Sequence, residues 1–324
     1  MMKNVMGAQV VPGLWRESVS IAFSSLRRNK FRTFLSLLGV SIGIFTIVTV
    51  FCVIDAMKNG IKGGMATLGW ETVLIQKEPW EIESSQNGYQ WWEYEKRREI
   101  GIQEYEFLKE NMTTASSVVY FSSQPRVFSA MGRGYSDGYL LSITPDYDKL
   151  LDVSIAQGRN FTFKEGEIGS NVAIIGSEVA RGLFPSGDAV GSEMSIDGYR
   201  VSVIGVAASE GESVMSIMDL DCAVIVPMEY GRGVFGVDKV GGTIMISPKQ
   251  SVAQSEMIEQ ATRLLRGCRR VNPEERDDFS FNKMTYLAEQ VEEVMGVVSM
   301  AGWIIGGFSL LIGGFGIANM MFVS

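Results

Sequence analysis

The sequence contains no histidine, and only three cysteines and eight prolines in 324 residues. Without histidine there is no Ser-His-Asp or Cys-His arrangement and no H-E-x-x-H metal site. Cys52 lies inside an apolar run, so Cys222 and Cys268 are the one soluble pair that a disulfide could join. None of the three has C-x-x-C or metal-ligand spacing, which argues against zinc and thioredoxin-like sites. No G-x-x-x-x-G-K-[ST] occurs, so these residues form no P-loop. A net charge of −8 argues against nucleic acid as a partner.

Charge is also missing from two long stretches. Residues 33–54 carry none, and neither do residues 294–324. At about 1.5 Å per residue, 22 helical residues reach roughly 33 Å, enough for a hydrocarbon core of about 30 Å. Soluble helices of such length normally carry a polar face, so both runs are expected to span a membrane. The first run is too long for a signal-peptide core, and no small-residue cleavage site follows it.

Residues 1–32 hold six Lys or Arg and one acid, leaving a remainder of −13 behind a +5 arm. That asymmetry predicts a cytoplasmic N-terminus, with residues of about 57–293 outside. Within the arm, Trp15, Val19, Ala22, Phe23 and Leu26 share one helical face. Such a helix is expected to lie against membrane lipid, with its cations near anionic headgroups.

Both spans carry small-residue spacing, Gly39-x-x-x-Gly43 and Gly302-x-x-x-Gly306. Glycine lets helix backbones approach closely in lipid, but it is frequent in membrane helices anyway, so the spacing leaves helix contact and ordinary composition both open. Short heptad stripes continue outward, through Val50, Ile54, Met57 and Ile61, and through Leu287, Val291, Val294 and Val298. They read either as paired stalks or as local capping of each span.

Between the spans the same order of elements occurs twice. TVLIQ (72–76), a helical stretch near 102–112 and VVYFSS (118–123) are followed much later by TIMIS (243–247), a helix near 252–267 and FSFNKM (279–284). Two β-α-β units far apart predict a split βαβ sandwich with an insertion. The insertion, roughly 133–240, is mainly β by pattern, with turn residues between short apolar runs. Ser280 and Lys283 match S-x-x-K, and Ser136-Asp137-Gly138 faintly resembles S-D-N. Ser280 lies on an expected strand with no K-T-G after it, so no hydrolase site is read there. Trp91 and Trp92 beside Lys96, Arg97 and Arg98 read as an ordinary mobile loop or as a sticky one for a lipidic or aromatic ligand.

Several short motifs then occur in a fixed order. ESVSIAFSSLRRNKFRT precedes FLSLLGVSIG. Gly158-Arg159-Asn160-Phe161-Thr162 is followed by VAIIG ending at Gly176, LFP (183–185), Val190-Gly191, VIGV with Gly205, and IVP (225–227). The second span reads LLIGGFGIANMMFVS. In this order they resemble the MacB/FtsX-like permeases of ABC transporters, the MacB type in particular, over nearly the whole chain.

The resemblance implies a membrane α-helical part plus an α+β extracytoplasmic domain. It places an arm at 1–32, the first span at 33–56 with a stalk to about 69, a core domain at 70–285, and a stalk and second span at 286–324. The core would hold a porter-like lobe (70–132 and 241–285) and an inserted mainly-β lobe (133–240). Gly158, Arg159, Phe161, Gly176 and Gly205 would be fold-forming, with Gly158 in a turn before a strand.

The implied role is that of a non-enzymatic permease subunit in a bacterial inner membrane. A cytoplasmic ABC ATPase on a partner chain would use the ATP and magnesium, and this chain would hold no cofactor. It would pair with itself or a second permease, with a periplasmic adaptor and an outer-membrane channel as further partners. Members export antibiotics or peptides, release lipoproteins, or regulate cell-wall hydrolases. A membrane-anchored receptor or scaffold is the alternative reading. The family also has a charged coupling segment and two further spans after the second, which would follow Ser324.

Overall fold

The computed structural model describes residues 30–68, 71–81, 91–151, 153–209 and 218–323. The arm helix expected at 15–26 lies outside them, as does part of the aromatic loop at 82–90. In chain order the elements begin with α1 (Lys30–Leu68), β1 (Val73–Gln76), α2 (Trp91–Glu95), α3 (Ile102–Asn111) and β2 (Ala115–Pro125). The insertion supplies β3 (Phe128–Ala130), β4 (Arg133–Tyr135), β5 (Tyr139–Ile143), β6 (Ile155–Gly158), α4 (Phe163–Ile168), β7 (Val172–Ile175) and α5 (Ser177–Leu183). It continues with β8 (Glu193–Ile196), β9 (Tyr199–Ala207), β10 (Ala223–Pro227) and α6 (Met228–Phe235). The chain closes with β11 (Thr243–Pro248), α7 (Gln254–Arg269), β12 (Ser280–Lys283) and α8 (Met284–Val323).

Contacts divide the chain into two units, residues 1–57 with 291–324, and residues 58–290. Among the described residues, the first consists of the apolar parts of α1 and α8. No proline interrupts either helix, and each satisfies its backbone internally, the condition for crossing lipid. Two segments, Leu37–Met57 and Met284–Gly316, are long and apolar enough to do so, with mean hydropathies of 2.6 and 1.9. Their large apolar side chains stand outward: Phe45 is 72% exposed and Phe315 73%. Water would penalise such a surface; hydrocarbon would not.

The second unit is built on one 12-stranded sheet in the order β12-β1-β11-β2-β5-β10-β7-β9-β8-β3-β4, with β6 added on β9. β11 lies antiparallel between β1 and β2, and β1 lies antiparallel between β11 and β12. Each β-α-β crossover therefore steps over a strand lent by the other, the split arrangement expected from the repeated order. Their helices α3 and α7 cover the same apolar core, where Tyr105, Leu108, Met257, Ala261 and Leu265 meet Val73, Ile75, Val118 and Ile244.

β2 joins this part to the insertion. Its first residues pair with β11 as far as Phe121, and from Phe121 onward it pairs with β5. A second core gathers there around Phe128, Leu140, Ile175, Leu183, Met194, Ile196 and Val224. Phe128 and Ala130 pack in this second core, whereas Met228 and Val237 pack in the first. The hairpin from β8 to β9 turns on Asp197 and Gly198, at φ of 48° and 93°, the two left-handed positions that suit a Asp-Gly pair.

Candidate functional site: the helix pair, the motif turn and the strand-junction groove

Glycine sets how closely α1 and α8 approach. A Cβ on Gly43 would stand 2.7 Å from the Ser309 Cβ and 3.3 Å from the Gly306 carbonyl oxygen. On Gly302 it would meet Val50 Cγ1 at 2.9 Å, and on Gly306 it would collide with the Ile47 side chain. Gly39 is looser, 3.9 Å from the Gly313 amide nitrogen. Phe51 and Trp303 add an edge-to-face contact at 5.8 Å. The structure thus places all four glycines of the paired spacing between the two helices. Gly313 joins them without having been singled out.

The motif turn is held by backbone proximity and by one ion pair. Gly158 has φ of +83°, and a Cβ there would strike the Ile204 carbonyl oxygen. Opposite it in the β6–β9 ladder stands Gly205, whose Cβ would lie 2.6 Å from the Arg159 carbonyl oxygen. The Arg159 side chain donates two bonds of 2.7 Å to the Glu165 carboxylate. That carboxylate also accepts from the Thr162 amide and hydroxyl, while the Thr162 hydroxyl accepts from the Glu165 amide. The result is a capping box that starts α4.

The turn therefore leads into a helix, not into the strand expected from the sequence. The hydrogen bonds from Arg159 draw the Glu165 carboxyl down to about 2 from an ordinary 4.5, with those from Thr162 helping and partial burial opposing. Phe161 lies edge-on to Tyr147 at 6.2 Å, and the buried Tyr147 hydroxyl donates to Asn160. Gly176 caps α5, with its amide bonded to the Ala223 carbonyl at 2.8 Å and no room for a Cβ beside the Asp221 carbonyl.

Other sequence features find structural roles. The Ser280 hydroxyl accepts from Arg97 at 2.8 Å, and Lys283, three residues on along a strand, points to the opposite face. Trp92 is half exposed on the short α2, and Arg97 stacks over Tyr94 at 4.6 Å. The Cys222 and Cys268 thiols are both free. Among the described residues no group of Cys, Asp and Glu is arranged to hold a metal ion.

Sequence reasoning missed a buried clamp. The Arg269 side chain at the end of α7 is 1% exposed. It donates to Glu104 at 3.1 Å, to the Glu99 carbonyl at 2.8 Å and to the Asp278 carbonyl at 3.1 Å. Only the high density of basic residues in the last turn of α7 could have hinted at it.

A groove of about 620 Å³ opens where β2 passes from β11 to β5. Trp80, Phe121 and Tyr139 give it apolar walls, and Lys77, Glu99 and Asp219 give it charge. Lys77 and Glu99 pair at 2.7 Å across it. This is the kind of junction between lobes where cavities preferentially form.

An apolar helix pair joined to a mixed sheet domain with an interleaved β-α-β core defines a membrane-anchored protein with a folded soluble domain. Residues 33–264 match the MacB-like periplasmic core domain family. The chain belongs to that family, within the MacB-like ABC transporter permeases.

Among curated relatives, the "Macrolide export ATP-binding/permease protein MacB" of Wolinella succinogenes is 23% identical, over 95% of this chain and 45% of its own length. The "Uncharacterized ABC transporter permease YknZ" of Bacillus subtilis is 24% identical over 95% of this chain and 74% of its own. The "Pyoverdine export ATP-binding/permease protein PvdT" of Pseudomonas aeruginosa is 25% identical over 98% and 46%. The chain spans about half the length of the macrolide and pyoverdine exporters.

The fold matches the periplasmic region of MacB from Actinobacillus actinomycetemcomitans at a TM-score of 0.55 and 15% identity, over 72% of this chain and 97% of that one. It matches the extracellular domain of YknZ from Gram-positive bacteria at 0.51 and 18%, over 65% and 98%.

Proposed function

We propose that this chain is the permease part of an ABC exporter, in which ATP hydrolysis on a cytoplasmic partner moves the α1–α8 pair and so drives the extracytoplasmic domain. The observation that carries this reading is the family match over residues 33–264, spanning most of the first apolar helix and the sheet domain together. In this reading the N-terminus is cytoplasmic and residues of about 57–293 lie outside, with the inner membrane as the site. The basic arm supports that orientation. Two copies, or this chain with a second permease, would bring two helix pairs together, and a periplasmic adaptor would carry the cargo onward. The cargo is an antibiotic, a peptide or a lipoprotein, and the groove beside Trp80 and Tyr139 is its candidate contact.

The complete protein purified in mild detergent is expected to bring down an ABC ATPase and to change its hydrogen exchange within 71–283 on adding ATP. Absence of both would overturn the exporter reading in favour of a membrane-anchored receptor or scaffold. In a background lacking the native cysteines, an impermeant thiol reagent on intact cells should label Asp137→Cys and spare Asn4→Cys. The reverse pattern would overturn the orientation.

A further inference from the structure

No loop separates α8 from the sheet. Lys283 is the last residue of β12 and Met284 the first of α8, so a displacement of the helix start moves the end of the strand. Beside Lys283 stands Asn282, which is buried. Its side-chain amide is fully used. Nδ2 donates to Gln76 Oε1 at 2.7 Å and to the Glu78 carbonyl at 2.9 Å, while Oδ1 accepts from the Trp80 amide at 2.8 Å.

All three partners belong to the wall of the groove of about 620 Å³: Gln76, Glu78 and Trp80 line it. Gln76 Nε2 donates onward at 3.1 Å to the hydroxyl of Thr243, which lines it too. Residues 77–81 run past the end of β1 in neither helix nor strand. Their backbone groups must therefore find partners elsewhere, and Asn282 supplies one on each side of Pro79. A satisfied buried network of this kind holds one arrangement, because any shift leaves a desolvated donor or acceptor without a partner.

The geometry points to Asn282 as a positioning residue that couples α8 to the groove: it holds the Trp80 segment on β12, so that displacing the start of α8 moves Trp80. Energetic coupling travels through rigid elements and hydrogen bonds, and here it passes from helix to strand to side chain with no loop between. The groove's role as a cargo contact rests on the exporter reading, whereas the coupling needs only α8, β12 and this side chain.

The helix can be moved without an ATPase. The full chain, carrying 5-fluorotryptophan, is placed in bilayers of dimyristoleoyl-, dioleoyl- or dierucoyl-phosphatidylcholine, because membrane helices change tilt with hydrocarbon thickness. The Trp80 fluorine resonance, identified by its loss in Trp80→Phe, should shift by more than its linewidth across the series. Asn282→Leu keeps the bulk of the side chain and removes its hydrogen bonds. Arg97 still bonds the Lys77 carbonyl and the Ser280 hydroxyl, so the domain should keep a cooperative unfolding transition. In this variant the Trp80 resonance should no longer follow thickness. A second variant, with two glycines inserted between Lys283 and Met284, leaves the bonds of Asn282 in place. Its Trp80 resonance should lie near the wild-type position and stay there in every bilayer.

A wild-type resonance that ignores thickness, or a response that survives in either variant, would overturn the proposal. If Asn282→Leu loses its cooperative transition, the glycine insertion decides alone. Failure of an ATPase to co-purify would overturn the exporter reading and leave this response in place, so the two fail separately.

Discussion

Glycine brings two backbones together in the helix pair, whereas in the sheet domain it lets one backbone turn. Gly43, Gly302 and Gly306 sit where a Cβ would press on the facing helix, in ordinary helical conformation. Gly158 and Gly198 sit at positive φ, where a side chain would strain the chain itself. The difference follows from the solvent. In lipid there is no hydrophobic drive between helices, so close van der Waals contact must hold them and small residues permit it. In water the two apolar cores supply the drive, and glycine is needed only where the connections bend.

The contrast can be broken most severely at Arg269. Arg269→Ala would leave Glu104 and Asp278 facing an empty buried site, an uncompensated charge costing about 3–5 kcal/mol. The midpoint of denaturant unfolding of the sheet domain should fall accordingly, while contact between α1 and α8 persists. Arg269→Lys should recover only part, because an ammonium lacks the fork that reaches both Glu104 and the Glu99 carbonyl.

The converse change is Gly306→Leu. Overpacking against Ile47 should cost about 1–3 kcal/mol of helix association. Oxidative crosslinking of Gly39→Cys to Gly313→Cys, with the native cysteines replaced, should drop in yield while domain unfolding stays unchanged. Crosslinking at full yield would show that the glycine contacts are incidental.

The smallest effect belongs to Glu165→Gln, expected to cost about 1 kcal/mol at neutral pH, since Arg159 is half exposed and solvent screens the pair. The folded carboxyl titrates near 2 and the ordinary one near 4.5. Its contribution is therefore complete above about 4.5 and disappears as pH falls toward 2. Wild type and Glu165→Gln should differ in thermal midpoint at pH 7 and converge near pH 2.

Much of the two regions was legible in the sequence, for unequal reasons. Long uncharged runs announce helices by themselves, and α1 and α8 cover both. Short apolar runs bounded by turn residues located β1, β5, β7, β10 and β11, because a strand is specified within four to six residues. Pairing is not local. Nothing near Leu74 reveals that Met245 and Asn282 are its two neighbours. The helices α4, α5 and α6 have six to eight residues, too few to show a period, so the insertion read as mainly β. The Thr162-x-x-Glu165 spacing is a capping-box signature and could have revealed α4. The Arg269 clamp had no comparable signal, since its partners come from α3, the loop before it and the segment leading to β12.

The position of β1 between β12 and β11 has a consequence for biosynthesis. Both strands that flank it come more than 160 residues later in the chain, and the second, β12, is the last strand of the sheet. While the insertion is being translated, Val73, Leu74 and Ile75 have no partner on either side. Such an apolar strand with two open edges is a template for intermolecular pairing. The insertion's own strands, from β3 to β10, can pair before β11 emerges, so the domain can fold from its middle outward. Slowing synthesis between residues 210 and 243 should therefore raise aggregation of the nascent chain, and a holdase that covers residues 73–76 should lower it.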